Sequence, residues 1–231
     1  MIAAHFDHMR SVLGRNLDAL AADYVQASRV LAVRLMPDKS DGGPDLPHAA
    51  VRPVAPGIVA VLVFDFPDST ATVDREQIDE WPVDIDGAFA EGMSILDREP
   101  KPLRDDVEDG NVRFTIWYGD SFYVATWLMR LEELLPPGTA DAIVGVPNRH
   151  MLVVHPIIDS GAIDSLSSMQ QLALDGFREG PGSISGRLYW WSRGDLTVIA
   201  QTTVGRELHL RVPPELEAVL DQSTGLRNPA D

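Results

Sequence analysis

Twice in the second half of the chain, two apolar runs stand too close together for anything but a tight turn. The first pair is IVGVPNRHMLVVH (143–155), joined through Asn148, Arg149 and His150; the second is RLYWWS and LTVIAQTTV, flanking Arg193-Gly194-Asp195. Parallel strands need a long crossover between them, whereas antiparallel strands close through a turn of two residues. Gly194 supplies the backbone freedom such a turn asks for. At the first junction, Pro147 and Asn148 read as the second and third residues of a β-turn. The late strands are therefore expected to pair antiparallel.

The rest of the chain alternates between the two periodicities. Phe6, Met9, Leu13, Leu17 and Leu20 recur at helical spacing within 5–35, and Val25 to Met36 reads equally as a second helix or a strand. Residues 37–50 (PDKSDGGPDLPHAA) form a loop, the segment best suited to flexibility. GIVAVLVFDF (57–66) is a strand apolar enough for burial on both faces, and 112–119 alternates as a half-buried strand. Helices are expected at 72–81 with Thr72 or Asp74 as N-cap, at 84–99 with Asp84 as N-cap, at 120–138, at 163–177, and after Pro213-Pro214. The segment at 120–138 (DSFYVATWLMRLEELLPPG) looks like the clearest of them, with Val124, Trp127, Leu128, Leu131 and Leu135 in one stripe. Together these predict one α+β domain over 1–231, a mostly antiparallel sheet with helices packed on it. The polar stretch 98–111 reads as a linker or long loop where two lobes, 1–100 and 111–231, could part.

Composition removes several kinds of chemistry. There is no cysteine among the 231 residues, so disulfides, thiolate nucleophiles and cysteine-held metals are excluded. No basic and then apolar leader opens the sequence, and the longest apolar run falls well short of the roughly 20 residues a membrane helix needs. A soluble, cytoplasmic protein is expected. With 35 acids against 19 bases the net charge is -16, which disfavours nucleic-acid and anionic-membrane binding. Solubility alone accounts for such a charge; a surface matched to a basic protein partner is the sharper reading.

No motif for catalysis or for a cofactor stands out. GPGSISG (180–186) has neither nucleophile-elbow nor dinucleotide spacing, and the chain's two lysines, Lys39 and Lys101, belong to no phosphate-binding loop. His5 and His8 could share a helix face, but two ligands do not make a metal site, and none is expected. His48 falls in the loop and His209 on a late strand. His150 and His155 are an odd number apart, so on one strand they face opposite ways. Asp105–Asp106 and Glu132–Glu133 are neighbours in sequence and read as solvated faces. Turn chemistry explains Asn148; it leaves Arg149 and His150 over, although loop tips carry polar residues for no functional reason.

Several segments in a fixed order resemble the bacterial YtpQ-like family of unknown function. They are GIVAVLVFDFPDS, VDREQIDEWPVDIDGAFAEGMSIL, GDSFYVATWLMRLEELLP and AIVGVPNRHMLVV, within residues 23–156, with LYWW at 188–191 in support. That family's pattern runs from an acid-ended strand through a Trp-Gly-Val helix start to a Pro-Asn-Arg-Asp turn. Here Pro82 stands for the glycine and His150 for the aspartate. The resemblance implies no activity, but it directs attention to Asn148 and Arg149, and to Asp65 and Asp120.

The expectation that follows is a non-catalytic protein-binding module of the accessory, inhibitor or immunity type. Asn148, Arg149 and His150 are its candidate binding residues, with the planar fork of Arg149 suited to a carboxylate. The alternative is a hydrolase-like enzyme using His150 or His155 as base with a nearby carboxylate.

Overall fold

β-branched and aromatic runs become strands, and capped amphipathic runs become helices, in the computed structural model of this chain. It describes residues 17, 19–67, 69–158, 161–204 and 207–225, with backbone only for 202–204, 207–209 and 222–225. The class is α+β: two antiparallel sheets, one of four strands and one of seven, with helices packed against them. The chain gathers into two compact units. One takes residues up to Arg34, Asp45–Arg52 and Val61–Arg98; the other takes Leu35–Pro44, Pro53–Ala60 and the chain from Glu99 onward.

The four-stranded sheet is built from β1 (Leu31–Pro37), β2 (Val51–Ala55), β3 (Ile58–Phe66) and β4 (Ser69–Thr72), in the order β1-β3-β2 with β4 also on β3. Val25 to Met36 thus resolves into a short helical turn at Tyr24–Ala27 followed by a strand. Within the first unit, α1 (Arg75–Asp79) begins at Asp74, whose side chain and that of Gln77 form a capping box. Asp84 caps α2 (Ile85–Met93) by accepting from the Gly87 N–H at 2.8 Å. Gly92 is where α2 comes closest to the strands: a Cβ there would meet Leu62 at 2.7 Å and Val33 at 3.0 Å. Trp81 is buried between Tyr24 and Phe64 and donates its indole N–H to the Ala21 carbonyl at 2.7 Å.

The seven-stranded sheet belongs to the second unit. Its strands are β5 (Leu103–Asp109), β6 (Val112–Tyr118), β7 (Asp141–Asn148), β8 (Met151–Pro156), β9 (Leu188–Ser192), β10 (Asp195–Val204) and β11 (Glu207–Arg211), in the order β11-β10-β9-β7-β8-β6-β5. α3 (Gly161–Glu179) lies on one face and buries Ala162, Leu166, Met169 and Ala173 against Phe114, Ile143, Val153 and Leu188. Gly145 on β7 lets the helix approach, since a Cβ would stand 3.2 Å from Leu188 and 3.4 Å from Ala173. Leu216 and Leu220 of α4 (Pro214–Gly225) complete this core. Arg193 (φ 51) and Gly194 (φ 104) turn the β9–β10 hairpin as expected.

Two expectations need correcting. The segment at 120–138 is not an α-helix but a 3-10 stretch, Ala125–Glu133, broken at Arg130 (φ -129, ψ 38). Residues 123–128 are all buried, so the first half is enclosed on every side while Glu132 and Glu133 at its end are exposed, and its first N–H groups bond three residues back or to other segments. The supposed linker contains β5, paired with β6 along its whole length through a Gly110-Asn111 turn. Most of 38–50 is loop, as expected, with one 3-10 turn, Lys39–Asp41, capped by Asp38 and fastened by the bond from Asp38 N to the Gly57 carbonyl (3.0 Å).

Candidate functional site

The β7–β8 hairpin closes at the pair Asn148–Met151, so Arg149 and His150 are the two turn residues. Asn148 therefore occupies the first position of the turn, not the third, and Pro147 lies inside β7 at an irregularity in the register. Proline is tolerated there because a bulge spares it a ladder N–H. Asn148 is buried. Its Oδ1 accepts from the His150 N–H at 3.0 Å, an Asx turn, and its Nδ2 donates to the Gly176 carbonyl near the end of α3 at 3.0 Å. Gly180 keeps that space open, because any Cβ would collide with the Asn148 amide.

Arg149 is laced in from three directions. Its N–H donates to the Gly182 carbonyl at 3.1 Å, and its own carbonyl accepts from Ala125 at 3.1 Å, which ties the hairpin tip to the 3-10 segment. Its stem lies on Gly182, where a Cβ would meet the Arg149 Cδ at 2.8 Å. Its Nε donates to His150 Nε2 at 3.0 Å. With Nε2 accepting, the His150 ring proton belongs on Nδ1, which is 3.0 Å from the Gly119 carbonyl. The guanidinium carbon stands 4.2 Å above the Phe122 ring, and the rings of Phe122 and His150 meet edge to face at 5.4 Å. Among the described residues, no carboxylate pairs with Arg149.

Phe122 is 46% exposed although it anchors this cluster. Apolar residues also line up across the sheet: Met151 is opposite Tyr118 (41% exposed), and Tyr118 is opposite Leu103 (60% exposed). These three share the α3 side of the sheet, with Met151 partly buried against the core under α3 and Tyr118 and Leu103 out beyond it. The sequence reading missed Leu103, Tyr118 and Phe122. Alternation along 112–118 does place Tyr118 on the same face as Phe114; nothing in the sequence says where the covering helix stops.

The histidines are not gathered. His155 is buried with Nδ1 hydrogen-bonded to the Arg113 carbonyl, while the ring of His150 is engaged by Arg149 and Gly119, not by an acid. His48 is exposed, His209 has only its backbone described, and His5 and His8 lie outside the described residues. Asp120 is exposed just ahead of the 3-10 segment, and Asp65 sits on β3 opposite Thr70. Glu132 and Glu133 face solvent. Among the described residues no three His, Asp or Glu side chains converge as a metal site would require.

The second unit also holds a polar cluster that sequence reasoning did not find. Arg187 grips Asp41 with both terminal nitrogens, Nη2 to Oδ1 at 2.7 Å, across the Pro56-Gly57 turn. The Arg187 N–H donates to Ser185 Oγ (3.2 Å), which bonds the Tyr189 hydroxyl (2.9 Å), which donates to the Pro56 carbonyl (3.0 Å). Because the Tyr189 proton goes to Pro56, Ser185 must donate to Tyr189, and the relay is complete. Burial holds the Tyr189 hydroxyl above its ordinary pKa of 10.0. The clefts beside this cluster are lined by Ser40, Gly57, Phe177, Ile184 and Gln201, and by no histidine. Every polar group in the relay is satisfied from within, so it reads as a clasp holding the 37–44 and 53–60 segments to the rest of the second unit. No described helix is long and apolar enough to cross a membrane. Comparison with family models, curated proteins and solved structures found no match to this chain.

Proposed function

We propose that this chain is a non-catalytic protein-binding module of the cytoplasm, an accessory, inhibitor or immunity-type protein. Its contact surface is the end of the seven-stranded sheet around Arg149, Phe122, Tyr118 and Leu103. The observation that carries this reading is the Arg149 guanidinium, fixed by His150 and Gly182 and laid on the exposed ring of Phe122. A preorganised arginine beside an aromatic ring is the composition of a binding hot spot, with little side-chain entropy left to lose. The N–H groups not used by His150 suit a partner's carboxylate or backbone carbonyl. The charge of -16 plays a different part: it speeds encounter with a basic protein, and the tip sets orientation. The resemblance to the YtpQ-like family points to the same turn.

The test is capture from lysate with immobilised protein at low and high salt, comparing the wild type with Arg149→Ala and Phe122→Ala. A basic protein held by the wild type, released by salt and lost in both variants supports the proposal. Identical capture by all three forms would overturn it. So would no capture at all combined with a metabolite screen that raises the melting temperature by several degrees.

A further inference from the structure

We propose that the edge of β5 left unpaired among the described residues is a docking rail for a basic, extended segment of the partner protein, which joins the seven-stranded sheet as an added strand. This rests on the reading of the chain as a protein-binding module and names how the partner enters. β5 is the last strand of the sheet order, with β6 on one side. Alternate residues of such a strand turn their N–H and C=O groups outward, a template for another chain. β5 is seven residues long, about 23 Å at the strand rise, enough for a partner segment of similar length.

The side chains say which segment fits. Only Val107 of β5 is partly buried; the others are exposed. The strand carries one base, Arg104, against Asp105, Asp106, Glu108 and Asp109, a net charge of 1 - 4 = -3. Asp106 is occupied by the Thr115 hydroxyl (2.7 Å) and by Arg104 Nε (2.9 Å). Asp105, Glu108 and Asp109 make no such bond with any described residue and fall on both faces of the strand. A basic strand lying alongside would set cations against these acids on either face, cross-strand pairs of the favourable kind. An apolar residue in it would cover Leu103, which lies opposite the exposed Tyr118. A second copy of this chain is the wrong occupant, because two strands of charge -3 on molecules of charge -16 repel.

A charged edge also guards a sheet against aggregation without binding anything, so the experiment has to tell guard from rail. The probe is a fluorescein-labelled peptide alternating lysine and valine, titrated into the full chain. Its controls are a glutamate–valine counterpart and a version N-methylated at alternate backbone amides. The protein variant is D105N/E108Q/D109N, with far-UV circular dichroism and melting to confirm its fold. We expect binding of the lysine peptide, at least roughly tenfold weaker with the variant and with the N-methylated peptide, and slowed amide exchange along β5. Binding without protection of β5, or binding indifferent to N-methylation, would overturn strand addition in favour of loose charge attraction. No binding, with the variant forming oligomers, would show that the acids serve only as guards. The peptide titration does not depend on Arg149, so wild-type peptide binding with failed capture at the tip, or the reverse, separates the two proposals.

Discussion

Replacing Asn148 with alanine removes two hydrogen bonds of a buried side chain at once, one to the His150 N–H and one to the Gly176 carbonyl. Leaving such groups unpaired costs about 1–3 kcal/mol, so Asn148→Ala should lower the urea midpoint clearly. Arg149→Ala should behave differently. Its guanidinium rests on an exposed ring, where a cation–π contact is worth about 0.5–1 kcal/mol, and stability should fall by no more than that while binding falls steeply. The paired unfolding curves check both. If Arg149→Ala destabilises as much as Asn148→Ala, the arginine holds the hairpin and is not a contact residue. Gly57 gives a third test. Its φ of 89 and the Asp41–Arg187 clasp crossing it leave no room for a Cβ, so Gly57→Ala should cost about 1–3 kcal/mol. The carboxylate of Asp41 stands nearest that Cβ, so Asp41→Ala should remove most of the penalty's steric part, which a double-mutant cycle would reveal.

At the scale of elements, what the sequence disclosed depended on whether local pattern and tertiary setting agreed. β3, the caps at Asp74 and Asp84, the Arg193-Gly194 turn and α3 were legible because each rests on chemistry within a few residues. The 120–138 segment failed because its first half, 123–128, is buried on all sides rather than along one apolar stripe, and because the Ala125 N–H leaves the helix ladder for the Arg149 carbonyl. β5 failed for the opposite reason: as an edge strand it has only Val107 in touch with the core, so alternation never shows. Its Gly110-Asn111 turn was the available signal. In the site, Arg149 was visible as a residue the turn did not need. Tyr118 and Leu103 were not, since their exposure depends on where α3 crosses the sheet, nor was Phe122, whose partners Arg149 and His150 are distant in sequence. The closeness of that crossing is testable at Gly145. Valine there would press on Leu188 and Ala173, already 3.2 and 3.4 Å from a bare Cβ, and overpacking of this kind costs about 1–3 kcal/mol. Urea unfolding of Gly145→Val should show it; an unchanged midpoint would mean the helix yields easily.

For the molecule as a whole, pH acts through groups of opposite sign. Asp38 is held below the ordinary carboxylate value of 3.8 chiefly by the Ser40 hydroxyl, and Asp106 by the Thr115 hydroxyl and then Arg104. A lowered folded value means stability that is present above 3.8 and is lost as pH falls below it. Both groups are largely exposed, so this loss is small. Against it runs the relief of self-repulsion as a chain of charge -16 takes up protons, which favours the folded state between pH 7 and about 4 and should fade in high salt. At the other end stands Tyr189, whose folded value lies above 10.0 because ionising it would place a charge in the buried relay, with Ser185 and Arg187 only partly offsetting that. A raised folded value contributes stability that is intact below pH 10 and disappears as pH climbs from there through the folded value. The melting temperature should therefore be highest on the mildly acidic side of neutrality at low salt, and fall above pH 10. Tyr189→Phe isolates the alkaline limb. It should melt lower at pH 7, because the Pro56 carbonyl loses its donor and Ser185 its acceptor, yet lose less on going from pH 9 to 11 than the wild type does. Parallel wild-type and variant curves across that range would show that Tyr189 does not set the alkaline limit.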